Sequence, residues 1–261
     1  MQKNLYLMKK TISLLAIVLL ITACGHQRPS KQEMPEPIST QKNVPGDSTL
    51  YGLACDGSSD SILVFLPYSG VNPDTFDIIN AFQERRIYGR PHIGDELAVI
   101  LNPEDKAEVQ MIVNIDALKG QWCYQVMPTL KHIDKMPERM QRRMMERMPD
   151  SVKRKMMTPR EYGFRLKRGY SAQAIGARQQ RNSTDNMSPV EYPRLRRYAE
   201  WRLYNGHLIL ITDSTRIPNS SKRGKPEQDT ADIMYLRRDT LILKFKDHEQ
   251  KYYRKIEQEE L

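Results

Sequence analysis

The sequence predicts a mainly β protein made of two small β-barrel-like modules, the second an antiparallel meander interrupted by a helical insertion. Short segments rich in β-branched residues recur along residues 49–256, each bounded by Gly, Asn, Asp or Pro. Three pairs of the later segments have the polar turns of hairpins. Residues 131–160 differ, because their apolar residues recur at every fourth position, which is typical of a helix.

Length and charge limit the possible number of domains and the possible partners. The chain has 261 residues, of which 39% are hydrophobic, and this is enough for two modest domains. The formal net charge is +9. Residues 131–168 alone carry 13 Lys or Arg and 5 Asp or Glu, which is +8. Because the basicity belongs to one segment, it does not indicate nucleic acid, and no nucleic-acid partner is predicted.

Residues 1–23 have the features of a secretory signal peptide. Two lysines precede an apolar run over residues 12–21, which is too short to span a bilayer. The run ends in Ile21-Thr-Ala-Cys24, which resembles the lipobox of bacterial envelope lipoproteins of the Bacteroidota type. The resemblance implies that Cys24 carries a lipid anchor in the membrane. Gly25 and the lack of a dense acidic run imply the outer membrane, facing the periplasm. An ordinary cleavable signal that contains a Cys is the alternative.

Residues 24–48 are predicted to be a tether, because they hold four prolines and scattered charges. Residues 49–117 are predicted to be the first small all-β module. Its strands are expected at residues 50–55, 61–66, 93–101 and 109–115. The stretch 75–82 fits either a strand or one helix face, and we predict a strand there.

Residues 118–256 are predicted to be the second module. Its hairpins pair residues 162–166 with 170–176, 200–203 with 207–211, and 232–236 with 240–245, and residues 251–256 close the set. The second hairpin turns at Asn205-Gly206, the favoured two-residue turn. Successive hairpins describe one sheet that curls into a barrel.

The opening of this module, Gly120-x-Trp122, resembles the first strand of lipocalin-type barrels. Glycine lets the backbone bend at the barrel floor, and the tryptophan then plugs that end. The resemblance implies a lipocalin-like barrel in which a basic side chain from near the chain end faces the tryptophan. Arg254 is the candidate for this role. A buried tryptophan in an ordinary strand is the alternative interpretation.

The insertion at residues 131–160 is predicted to form a pair of basic amphipathic helices broken at Pro149. Its apolar stripe consists of Met136, Met140, Met144, Met148, Val152 and Met156. Its cations are Arg139, Arg142, Arg143, Arg147, Lys153, Arg154 and Lys155. The thioethers could hold Cu(I), although the cations oppose it, or the helices could lie on an anionic membrane. Most simply, the stripe covers the open barrel end or the first module.

No catalytic, metal or cofactor site is predicted, and we expect a protein that is not an enzyme. The five histidines lack metal-ligand spacing, and no Gly-x-Ser-x-Gly or phosphate loop is present. Cys55 and Cys123 remain after lipidation. They could form a disulfide between the modules in an oxidising periplasm, or stay buried as separate thiols.

Asp-Ser/Thr followed by a small or aliphatic residue recurs six times and resembles the O-glycosylation motif of Bacteroidota envelope proteins. Ser48, Ser151 and Ser214 stand in loop-like contexts and are the candidate sites. The structural alternative is that Asp closes a turn before a strand.

The function predicted from these patterns is non-catalytic binding of a small apolar or amphipathic ligand within the second barrel of a lipid-anchored envelope protein. The alternative is an interaction or scaffolding protein that uses the basic insertion to bind an acidic envelope partner or a membrane surface. The barrel interior distinguishes the two. An open apolar cavity favours ligand binding, whereas an interior filled by aromatic side chains leaves only the second function.

Overall fold

The computed structural model of the chain describes residues 44–176, 190–213 and 225–256. All of them lie within one compact unit, Ser39–Leu261. In these ranges, sixteen strands form a six-stranded sheet, an eight-stranded sheet and a two-stranded ribbon. The protein is therefore mainly β, which confirms the predicted fold class.

The first sheet curls into a barrel-like module. Its strands are β1 (Leu50–Ala54), β2 (Ile62–Pro67), β3 (Asp74–Asp77), β4 (Ile87–Tyr88), β5 (Glu96–Leu101) and β6 (Val109–Asn114). They pair in the order β3-β2-β1-β5-β6-β4, antiparallel except for β4 with β6. A parallel bridge between Asp77 and Glu108 brings edge strand β3 to the start of β6, so the sheet approaches closure.

A short helix, α1 (Ile79–Gln83), follows β3. The Asp77 carboxylate accepts a hydrogen bond from the backbone N–H of Ile79 (2.7 Å), and this local bond turns the chain out of the strand. The prediction of a single strand over residues 75–82 is therefore wrong for its second half. The apolar spacing that also fitted a helix face describes that half correctly.

The second sheet is an eight-stranded antiparallel barrel. Its strands are β7 (Gly120–Val126), β9 (Arg160–Leu166), β10 (Ala172–Ile175), β12 (Tyr198–Tyr204), β13 (His207–Thr212), β14 (Gln228–Leu236), β15 (Thr240–Lys244) and β16 (Glu249–Arg254). Their order is β10-β9-β7-β16-β15-β14-β13-β12. Strand β7 pairs with both β9 and β16, and Ser171 beside β10 bridges Glu200 in β12. The meander is thus nearly closed on itself.

The turn between β12 and β13 shows why the hairpins form. Asn205 and Gly206 both have positive φ, +47° and +81°. Asn and Gly tolerate this backbone conformation best, and its twist matches that of the flanking strands. The sequence therefore sets the register of this hairpin locally.

The barrel core continues into the first sheet. Trp122 and Leu236 of the barrel belong to the same buried cluster as Ala98 and Val113 of the first sheet. The connecting helix α2 (Ile115–Leu118) contributes Ile115 and Leu118 to that cluster. A separate core within the first sheet contains Leu63, Phe65, Leu97, Val99 and Ile112.

The helical insertion lies between β7 and β9. It consists of β8 (Thr129–Leu130), α3 (Glu138–Glu146) and α4 (Asp150–Met156). Strand β8 pairs with β11 (Val190–Glu191). Leu130, Met148 and Val190 form a small buried cluster, against which Met144, Val152 and Met156 pack. The insertion therefore has a core of its own.

Candidate functional site

The closed end of the barrel is formed by Arg254 over Trp122. The guanidinium carbon lies 4.2 Å from the centroid of the Trp122 ring. The guanidinium also donates hydrogen bonds to three backbone carbonyls: from Nη1 to Lys119 (2.8 Å), from Nη2 to Ala117, and from Nε to Arg238 (2.6 Å). The structure thus places the two predicted residues in direct contact.

Gly120 makes this contact possible. Its φ is +131°, a conformation that L side chains rarely adopt, and a Cβ there would collide with the Arg254 guanidinium. The Trp122 indole Nε1 donates a hydrogen bond to the carbonyl of Leu118 (2.8 Å). Burial lowers the pKa of Arg254. The carbonyl oxygens around the guanidinium replace part of its lost hydration, so this end is closed with its polar groups paired.

The interior next to the closed end is filled with side chains. Alternate residues of each strand face inward. Cross-strand pairing therefore places Trp122 beside Phe164 and Gly120 beside Leu166. The fully buried residues in this half also include Trp201, Leu203, Leu208 and Leu241. This half of the barrel offers no space to a ligand.

The other half of the interior ends in an aromatic cluster. The ring centroids of Tyr124 and Tyr252 are 5.3 Å apart, and the rings meet edge to face. Phe164 lies 5.1 Å from Tyr252 and 5.9 Å from Tyr198, between ring centroids. Such tilted contacts fix ring positions more firmly than area burial alone. The four residues (Tyr124, Phe164, Tyr198 and Tyr252) are called the aromatic shelf below.

An open cavity of about 480 Å³ lies on the aromatic shelf, at the mouth of the barrel. Its volume falls within the range of about 300–1,000 Å³ that is usual for small-molecule sites. Apolar walls come from Leu195 and Phe245, and the rim carries Arg194, Arg196, Lys246, Asp247, His248 and Gln250. The cavity therefore combines aromatic and aliphatic walls with a larger share of polar and charged lining.

One side of the rim is held by a charged network centred on Asp229. The Tyr198 hydroxyl donates to the Asp229 carboxylate (2.7 Å). Arg196 Nη1 donates to both carboxylate oxygens, at 2.6 and 2.7 Å. Desolvation, and then the bond to Asp229, raise the pKa of Tyr198, so its hydroxyl keeps its proton. The network fixes one wall of the shelf in position.

The Tyr252 hydroxyl has no such partner. Tyr252 is only 5% exposed and lines the cavity. Within the ranges that the structure describes, neither its hydroxyl nor that of Tyr124 makes a hydrogen bond. Burial raises the pKa of both phenols, so both remain protonated donors at neutral pH. The base of the cavity therefore presents two hydrogen-bond donors next to aromatic rings.

The seven predicted cations of the insertion are all exposed to solvent. They lie on α3, directly after its last residue, and on α4. Two of them form long ion pairs, Arg142 with Glu138 (3.9 Å) and Lys153 with Asp150 (3.6 Å). The buried part of the methionine stripe packs on β8 and β11. No residue of 131–160 is among those that line the cavity, so the stripe does not cover the barrel mouth.

Both cysteines are free thiols. Cys55 lies after β1, with Sγ 3.8 Å from the carbonyl of Leu53. Cys123 is buried in β7, with Sγ 3.7 Å from Nε2 of Gln121, and burial raises the pKa of its thiol. The candidate disulfide is not formed, because each thiol lies in its own surroundings. The alternative of two separate thiols describes the structure.

The three candidate glycosylation sites differ. The Ser48 hydroxyl donates to Oδ1 of Asn205 (2.8 Å), and the Ser48 backbone N–H donates to the same oxygen. Ser151 is exposed in the first turn of α4, a helix rather than a loop. Ser214 lies outside the described residues, as does the predicted lipidation site Cys24.

Among residues 44–176, 190–213 and 225–256, no group of three or more His, Cys, Asp or Glu side chains could hold a metal ion. No helix in that part of the chain has the length and apolar character needed to cross a membrane.

Sequence reasoning missed the rim network. Asp229 stands in a turn-like Asp-Thr pair and Arg196 in a run of scattered charges, and 33 positions separate them. Only the pairing of β13 with both β12 and β14 brings them together. Tyr252, in the predicted closing strand 251–256, was the available signal for an aromatic interior, whereas Tyr198 lay outside the predicted strand at residues 200–203.

Comparisons with known proteins add little. No protein-family model matches the chain, and no curated protein matches it. Among solved structures, it is similar to the crystal structure of a lipocalin-like protein from Bacteroides thetaiotaomicron. That likeness has 17% sequence identity and a TM-score of 0.27, and covers 52% of this chain and 95% of the other. Because it is weak, the barrel assignment rests on the strand order and on the closure described above.

Proposed function

We propose that the barrel binds a small amphipathic ligand, without catalysis, in the cavity at its mouth. The observation that carries this proposal is the open space of about 480 Å³ on the aromatic shelf. The opposite end is closed by Arg254 and Trp122, so the ligand enters from the mouth. A cavity of this size suits a compact molecule, and a long chain would extend into solvent.

The chemistry of the lining favours a ligand with both apolar and polar parts. Its apolar part would contact Phe164 and the rings of Tyr124 and Tyr252. A purely apolar ligand would bury two phenol hydroxyls without a hydrogen bond, which costs about 1–3 kcal/mol for each buried group. An acceptor group on the ligand would instead pair with these hydroxyls or with Lys246 at the rim.

The site is largely formed before the ligand arrives. Asp229 holds both Tyr198 and Arg196, and the remaining shelf rings pack against each other. Preorganised walls reduce the entropy that is lost on binding. We therefore expect binding to occur without rearrangement of the barrel strands.

We also propose that this binding module is held at the outer membrane by a lipid on Cys24 and faces the periplasm. The support is the apolar run that ends in Ile21-Thr-Ala-Cys24. In the bacterial host, Cys24→Ala should move the protein out of the membrane fraction. Retention of this variant after a high-salt wash would contradict the anchor.

The test of ligand binding uses a pair of neighbouring substitutions and the fluorescent amphiphile 1-anilinonaphthalene-8-sulfonate. Gln250 lines the cavity, and Lys251, the next residue of β16, faces the outside of the barrel. Gln250→Trp should fill the mouth and weaken probe binding about tenfold or more. Lys251→Trp adds the same indole to the outer face and should leave the affinity unchanged.

Equal affinities for the probe in both variants would refute binding in this cavity. A second substitution, Tyr252→Phe, keeps the ring and removes one hydroxyl. It should weaken binding of the anionic probe while leaving the circular dichroism spectrum unchanged. An unaltered affinity would mean that the hydroxyl does not contact the ligand.

A further inference from the structure

Four methionines at the mouth end of the molecule are exposed to solvent. Met127, Met140, Met145 and Met157 have between 45% and 76% of their surface accessible. The apolar stripe that the sequence indicated is only partly buried, because Met148 and Met156 pack on β8 and β11. Part of the methionines of the insertion is therefore buried, and part is exposed to solvent.

The same two helices carry exposed cations. Arg139, Arg143 and Arg147 follow each other at four-residue spacing along α3, and so share one side of the helix. Arg154 and Lys155 stand in the last turn of α4. These five side chains form no ion pair with any residue that the structure describes. We call them, together with exposed Met140 beside Arg139 and Arg143 and exposed Met157 three positions after Arg154, the cationic face.

The topology places the cationic face at the mouth of the barrel. Strand β7 ends at Val126 and β9 begins at Arg160, both at the open end, and the insertion connects them. The Tyr192 hydroxyl donates to the carbonyl of Thr158 (2.7 Å), and the Arg160 guanidinium carbon lies 3.8 Å from the Tyr192 ring centroid. Arg194, two residues further on, already lines the cavity.

We propose that the cationic face docks the mouth end on a bilayer that carries anionic head groups. Exposed thioethers lie next to guanidinium groups that form no ion pair within the described residues. Together they match both parts of such a surface, because apolar side chains enter the head-group boundary while cations meet phosphates. An acidic protein would match the charge alone and would leave the methionines unexplained. The charges are spread over two short helices, which suits a fluid surface. This proposal does not depend on ligand binding in the cavity.

The experiment is hydrogen–deuterium exchange of the full chain, measured over residues 138–157. The readout is local, so an N-terminal lipid or signal segment that also binds vesicles does not interfere. With phosphatidylglycerol-containing vesicles at low salt, exchange across α3 and α4 should slow about threefold or more. The effect should disappear at high salt, because the Debye length falls to about 3 Å at 1 M. Pure phosphatidylcholine vesicles should leave the exchange unchanged.

A matched pair of charge reversals tests the location. Arg139→Glu with Arg143→Glu should abolish the slowing by anionic vesicles. Arg237→Glu with Arg238→Glu alters the net charge equally at the turn between β14 and β15, near the closed end, and should preserve the slowing. Met140→Gln should reduce the slowing of exchange by anionic vesicles, because the exposed thioether of Met140 is expected to enter the head-group boundary.

Three results would overturn the proposal. Exchange of α3 and α4 that anionic vesicles do not change would exclude docking through this face. Equal slowing by phosphatidylcholine would show that anionic head groups are not recognised. Slowing by soluble polyglutamate but not by vesicles would assign the face to an acidic protein partner instead.

Discussion

Replacing Arg254 with Met tests whether the guanidinium closes the barrel. Arg254 donates three hydrogen bonds to backbone carbonyls and lies over the Trp122 ring. Methionine would retain much of the apolar contact with the indole but would donate nothing. The carbonyls of Ala117 and Lys119 would then lose their charged donor at the point where the chain enters the barrel.

The expected loss follows from these contacts. A hydrogen bond from a charged donor contributes about 1.5–3 kcal/mol, and a cation over an aromatic ring about 0.5–2 kcal/mol. The contacts share one partly buried side chain, so they do not add fully. We therefore expect the free energy of unfolding to fall by about 3–5 kcal/mol.

Urea denaturation followed by tryptophan fluorescence measures this loss. Arg254→Lys retains the charge but cannot reach three carbonyls at once, so its free energy of unfolding should lie between those of the wild type and Arg254→Met. Lys255→Met is the matched control, because Lys255 is on the outer face and its ammonium group forms an ion pair with Glu161. If Arg254→Met costs no more than the Lys255 control, the guanidinium does not hold the barrel closed.

Three further predictions concern stability. Gly120→Ala should lower the free energy of unfolding by about 2 kcal/mol or more. Gly94 also has a positive φ but lies in open space, so Gly94→Ala should lower it by less. Equal losses of the two variants in urea melts would argue against a steric role of Gly120. Burial raises the pKa of Tyr252 because the folded state disfavours its ionised form, so stability does not change with pH below pH 10 through this group and falls as pH rises above it, by at most about 1.4 kcal/mol per pH unit. Urea melts between pH 9 and pH 11, read beside phenolate absorbance, should show this loss, and a flat profile would contradict it. The Lys119 ammonium group lies 2.7 Å from the buried carboxylate of Glu96, and Lys119→Met should lower the free energy of unfolding by about 3 kcal/mol because it leaves this carboxylate without its cation. Adding Glu96→Gln to Lys119→Met removes the buried charge and should recover part of that stability.

Local patterns were sufficient to predict the barrel. Asn205-Gly206 fixes a hairpin through its own backbone preferences, and Gly120-x-Trp122 marks the strand that opens the meander. Inward and outward positions then follow from the alternation of residues along each strand. The contact between Trp122 and Arg254 followed only from the lipocalin resemblance, since 132 positions separate them.

The partner of the methionine stripe was not predictable. Four-residue spacing specifies an apolar helix face but not the surface that covers it. That surface comes from β8 and β11, two strands of two residues each, which no sequence pattern marks. The helix at Ile79–Gln83 was missed for a similar reason, since five residues are too few for helical periodicity to exceed alternation.

The mouth cavity could not be predicted from the sequence either. Its volume depends on how far Leu195 and Phe245 stand from the aromatic shelf, and the segment that carries Leu195 has no regular structure. The sequence can show that tyrosines face inward. It cannot show whether they meet and fill the barrel or leave a space above them, because that depends on packing between strands distant in sequence.

The two ends of the barrel differ in whether their polar side chains form hydrogen bonds, and this difference leads to a final prediction. At the closed end, Arg254 and the Trp122 indole donate to backbone carbonyls, so removing a donor lowers stability. At the mouth, the Tyr252 hydroxyl has no hydrogen-bond partner among the described residues, so Tyr252→Phe removes a donor that contributes nothing to folding. We expect its free energy of unfolding to stay within about 0.5 kcal/mol of the wild type, or to rise, while binding weakens. A decrease of more than about 1 kcal/mol in the free energy of unfolding of Tyr252→Phe would show that the hydroxyl stabilises the fold rather than binding a ligand.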